Sequence, residues 1–78
     1  MNNPDYVKLA QIAYDTVLKV MQEGEKKHGV DGWKDKSIDY HKLRAFHHTN
    51  SAIEFNTGDD DIAHALTRCT MIKYLETR

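Results

Sequence analysis

The chain has almost none of the residues that small domains use to hold themselves together covalently. Its one cysteine, Cys69, excludes an internal disulfide and gives no sign of an oxidising compartment. Long apolar runs are absent, so neither a signal peptide nor a membrane span is expected, and Met1 to Asp5 reads as a short polar start rather than a targeting sequence. One sign of charge does not dominate: eleven basic and twelve acidic side chains are mixed along the chain, with a net charge of −1. No basic stripe results, which argues against a duplex DNA or RNA binder that works by releasing counterions. With a single proline and 40% apolar residues, disorder is excluded as well. A lone domain of 78 residues buries only about 60% of the surface its unfolded chain exposes, so its core is marginal. The supports left are a metal ion or self-association.

What is present is helical periodicity. Residues 1–78 read as a single all-α domain of three helices. The first runs from about Pro4 to Lys27, with Asn3 as cap and Pro4 at the first helical position. At about 100° per residue, Tyr6, Val7, Leu9, Ala10, Ala13, Tyr14, Val17, Leu18, Val20 and Met21 share an arc of about 180°, wider than the ~100° one core contact needs. The extra width predicts two separate packing partners. His28 to Lys36 contains two glycines and no helical period, and is expected to be a loop that sets Trp33 against something. The second helix begins after Ser37 and ends near Asn56. It has a thin apolar stripe, Leu43, Phe46 and Ile53, and another side bearing His41, Arg44, His48, Ser51 and Phe55, flanked by Ala45 and Ala52. Thr57 and Gly58 make a turn, Asp59 caps the third helix, and Asp60 and Asp61 suit the positive end of its dipole. From Ile62 to Leu75 this helix is apolar on nearly every side, which predicts a central, buried element.

Five histidines call for a reason. Glu25 and His28 continue the apolar arc of the first helix in line with Tyr14 and Met21, so they are expected to point inward. Asp61, His64 and Arg68 share one side of the third helix. A carboxylate and a histidine at i and i+3 project from one face, as in bundle metal sites. The two pairs are therefore a possible four-ligand set for a divalent cation: Glu25, His28, Asp61 and His64. The plainer alternatives stay open. Asp61 suits a first helical turn, Glu25 and His28 suit a frayed helix end, and a buried histidine is as often satisfied by a hydrogen bond as by a metal. His41, Arg44 and His48 stand one turn apart and read either as a phosphate site or as a solvated face. Trp33 reads as a base-stacking platform or as a plug over a core edge, and Cys69 as packing on an apolar face.

The order of these segments resembles a family. Glu25 to Lys34, Tyr40 to His48 and Gly58 to Leu66 are similar to a phage-type dATP/dGTP diphosphohydrolase-like domain, over about residues 18–76. His64 matches the last histidine of that family's closing motif, His48 the histidine of its arginine–histidine pair, and Trp33 with Lys34 its tryptophan–basic pair. The chain departs from the pattern at His47, where the family has arginine, and at Gly32, where it has asparagine. The acidic loop is shortened to Asp59, Asp60 and Asp61, and the paired glutamates of the wider all-α nucleotide pyrophosphatase group are absent. The resemblance implies a cytoplasmic protein (host cytoplasm if phage-encoded), a homo-oligomer, that removes pyrophosphate from a purine deoxynucleoside triphosphate with Mg²⁺ or Mn²⁺. On that reading Glu25 and Asp61 are the catalytic carboxylates, Glu25, His28, Asp61 and His64 hold the metal, and Trp33, Lys34, Arg44, His48 and Arg68 bind the substrate. The rival expectation is a non-catalytic helical protein that sequesters a nucleotide or blocks a protein partner. In either case the half-cylinder apolar arc predicts an oligomer, most simply a dimer.

Overall fold

A computed structural model describes residues 3–55 and 60–78. Three α-helices carry the described chain: α1, Pro4–His28, α2, Ile38–Glu54, and α3, Asp61–Glu76, with a 3-10 turn at Gly32–Asp35 between the first two. No strand occurs among the described residues. Local chemistry starts each helix where expected. The Asn3 side chain accepts the Asp5 N–H at 2.8 Å, with Pro4 at the first position, and Ser37 Oγ accepts the Tyr40 N–H at 3.0 Å. The cap of α3 is Asp60, whose Oδ1 takes the Ala63 N–H at 3.0 Å. Asp59, expected in that role, lies outside the described residues, as do Thr57, Gly58 and Asn56. The chain leaves α1 through Gly29, whose φ of 83° is the conformation a side chain would resist.

As expected, α3 is central: it packs against both α1 and α2. It is not buried all round. Ile62 and Cys69 are exposed, and the residues it buries are Asp61, Ala63, Ala65 and Thr67. The packing role expected for Cys69 is thus overturned. A second correction concerns α2. Its apolar stripe, Leu43, Phe46 and Ile53, faces outward, and the residues it buries are His41 and Ala45. The reason is steric. Among the described residues the buried apolar side chains are alanines, at 45, 63 and 65, so α2 and α3 come together through small residues, and bulky Phe46 would hold them apart.

The result is a domain with much apolar surface left open. At 25 residues α1 is about 37 Å long and at 16 residues α3 about 24 Å, so α1 overhangs its partner by roughly two turns. Tyr6 and Leu9, near the start of α1, are exposed. The accessible surface is 6269 Å², against about 4,850 Å² for a compact monomer of 9.0 kDa. The radius of gyration, 13.4 Å, exceeds the ~11.5 Å expected for the length.

Candidate functional site

The polar residues that the sequence singles out meet along the seam between α2 and α3. His41 stands at its centre and is completely buried. One ring nitrogen, Nε2, lies 2.8 Å from the Trp33 carbonyl and the other, Nδ1, lies 3.0 Å from Arg68 Nη1. A carbonyl can only accept and a guanidinium can only donate, so Nε2 carries the proton and Nδ1 does not. The imidazole is neutral, in one tautomer, and ties the Trp33 loop to α3.

Arg68 is half-buried, and its surroundings are unusual for a cation. The Tyr40 ring lies 5.7 Å from the guanidinium carbon, within reach of a cation–π attraction. Burial pushes the guanidinium below its ordinary value; Tyr40 opposes the shift and Arg44 adds to it. The ion pairs formed among the described residues are Lys34–Asp31, His48–Asp61 and Lys73–Glu76, and none of them includes Arg68. An aromatic layer adjoins it. Trp33 meets Tyr74 edge to face at 5.2 Å, Lys34 Nζ sits 5.8 Å from both rings, and Lys36 Nζ 5.4 Å from Tyr40. Trp33 therefore does contact something, and it remains half-exposed.

Farther along the seam, His48 Nδ1 is 2.9 Å from Asp61 Oδ1, with both side chains largely shielded from water. The His48 ring stacks on His64 at 5.0 Å and 19°. So the structure brings Asp61, His48 and His64 to one place, and Trp33, Lys34, His41 and Arg68 to a neighbouring one; Arg44 is exposed on the same helix as His41. His47 turns away onto Phe46.

Glu25 and His28 do not join them. Both are exposed, which corrects the expectation that they point inward. They lie in line with Tyr14 and Met21 on the helical wheel; of these, Met21 is half-buried but Tyr14 is 64% exposed, so the line is only partly covered. Among the described residues no group of three or more His, Cys, Asp or Glu stands close enough to hold one metal ion. The four-residue metal set is thus not assembled within one chain, and no chemical step can be derived through it.

Sequence reasoning gave His41 no structural role and overlooked Tyr40 and Tyr74. A signal existed for the first: His41, Ala45, His48 and Ala52 recur at helical spacing and alternate small with polar, the pattern of a close polar seam. No family, curated protein or solved structure matches this chain.

Proposed function

We propose that this protein binds the phosphate of a purine deoxynucleotide on its α2–α3 face without hydrolysing it, and does so as a homo-oligomer. The observation that carries this reading is the half-buried Arg68, which is unpaired with any carboxylate of the described residues and has Arg44 near it. The positive charge of exposed Arg44 raises the energy of the partly dehydrated Arg68 guanidinium, and an anion between the two reverses that sign. Phosphate suits them because its oxygens accept the paired N–H groups of a planar fork. Tyr40, Trp33 and Tyr74 add flat apolar surface of the kind a base stacks on, and Lys34 and Lys36 add charge at its edge. The oligomer is supported by the surplus of exposed apolar surface.

Titration of dATP and dGTP, with and without Mg²⁺, should change Trp33 emission saturably, and Arg68→Gln should weaken binding about tenfold or more, in line with one lost charged hydrogen bond. If neither nucleotide moves Trp33, the reading fails and a protein partner takes its place. Hydrolysis is the second reading, and it has one observation in its favour: Asp61 orients His48 at 2.9 Å, as a carboxylate orients a general base. Metal-dependent pyrophosphate release in the same titration, abolished by Asp61→Asn, would favour it over simple binding.

A further inference from the structure

The apolar arc of α1 divides into two stripes. Ala13, Thr16, Val17, Val20 and Met21 are half-buried. Sharing Met21 with them, Val7, Ala10, Tyr14, Leu18 and Met21 follow one another at spacings of three, four, four and three along one side of the helix, a stripe symmetric about Tyr14. This second stripe borders a groove of about 450 Å³ lined by Ala10, Ala13, Tyr14, Leu18 and Met21 of α1 and by Thr70 of α3. The lining is nearly all carbon, so it lacks the few placed polar groups that orient a small ligand. Its shape and chemistry suit an apolar helix.

We propose that the occupant is a second copy of this chain, whose α1 lies antiparallel along the groove so that the two α1 helices pair about a two-fold axis near Tyr14. This deepens the oligomeric part of the proposed function by naming the surface. Three observations converge on it. The accessible surface exceeds that of a compact monomer by about 1,400 Å² per chain, which falls within the roughly 1,000–2,500 Å² each partner buries in an obligate dimer. The stripe runs from Val7 to Met21 with Tyr14 at its middle, so only a pairing centred there matches its whole length against itself: Val7 of one copy opposes Met21 of the other, and Ala10 opposes Leu18. Charge then selects the direction. The first turn of α1 holds Asp5 and the last turn Lys26, Lys27 and His28. An antiparallel pair opposes the two helix dipoles and keeps the cationic ends apart, whereas a parallel pair stacks Lys26, Lys27 and His28 of the two copies on each other; centred at Tyr14, the antiparallel pair sets Asp5 opposite Glu23, with Lys26 about one turn beyond. Ala10 and Ala13 leave room for the close approach.

The test uses the full chain with Cys69→Ser as background. Val7→Cys and Met21→Cys are made separately, mixed and oxidised, and the products are weighed under non-reducing conditions. The antiparallel pair yields the mixed Val7→Cys with Met21→Cys disulfide, together with a Tyr14→Cys homodimer; a Val7→Cys homodimer in its place overturns the proposed direction. In parallel, sedimentation compares Leu18→Asp with Phe46→Asp. A folded Leu18→Asp monomer, with dimer affinity reduced about a hundredfold or more by a charge in the interface, is the expected result. If Leu18→Asp instead loses its helical signal, the disulfide pattern alone decides. A dimer that survives Leu18→Asp but dissolves with Phe46→Asp moves the interface to α2 and overturns this proposal while leaving the oligomer standing. A wild-type monomer at tens of micromolar removes both.

Discussion

The seam between α2 and α3 and the open face of α1 reverse the ordinary distribution of side chains. The seam buries a histidine, a threonine and an aspartate among alanines, and no buried side-chain polar atom of the described residues lacks a partner. The face of α1 exposes Tyr6, Val7, Leu9, Tyr14 and Leu18. A chain that places its polar groups where it is dry and its apolar groups where it is wet draws its specificity from the first region and leaves most of its hydrophobic free energy to be realised elsewhere. Fully burying one large apolar side chain contributes about 1.5–3 kcal/mol, so covering these five would add an amount comparable to the whole net stability expected of a domain this size. On the proposed pairing, the second region sets how stable the assembly is, and the first sets what its surface recognises.

That comparison breaks most easily at His41. His41→Ala removes the only acceptor of one Arg68 N–H and the donor to the Trp33 carbonyl, and leaves a cavity; a loss of about 3 kcal/mol is expected, read as a fall in the urea midpoint at fixed protein concentration. A change below ~1 kcal/mol would mean that the seam is not a specifying element. Val7→Ser sharpens the other side. In an isolated chain Val7 is half-exposed and the change should cost under ~0.5 kcal/mol, whereas in a paired assembly it should cost about 1–2 kcal/mol and shift Tm only at concentrations where the oligomer forms. The smallest effect belongs to Lys73→Ala, which breaks an exposed 3.8 Å pair with Glu76 and should stay within ~0.5 kcal/mol in thermal unfolding.

How much of this could be read beforehand follows the range of the interactions. Asn3, Pro4 and Ser37 act on N–H groups two or three residues away, and the starts of α1 and α2 were legible for that reason. The element order and the central position of α3 were legible from periodicity. The face by which α2 packs was not, because the stripe Leu43, Phe46, Ile53 is the more apolar one, and the choice against it depends on Ala63 and Thr67, more than ten residues away along the chain. Glu25 and His28 show the same limit: their angle on the wheel is local, but whether anything covers that angle is tertiary. At the site, Asp61 and His64 were read as a pair on one side of α3 and His48 as a separate phosphate-binding or solvated residue on α2, and it is His48 that meets both, while the partners of His41, a loop carbonyl and an arginine twenty-seven positions later, leave no mark on the residues around it.

The two hydrogen bonds of His41 also govern proton traffic. Its protonated nitrogen is committed to a carbonyl, which has no proton to return, and its bare nitrogen is occupied by a guanidinium, which will not give one up. Both ring nitrogens are thus held in a place that no solvent reaches. Of the five histidines, this one acts as a peg between the Trp33 loop and α3. The stacked pair His48 and His64 is held differently: Asp61 holds the His48 ring by one nitrogen and leaves its other nitrogen uncommitted to any partner among the described residues.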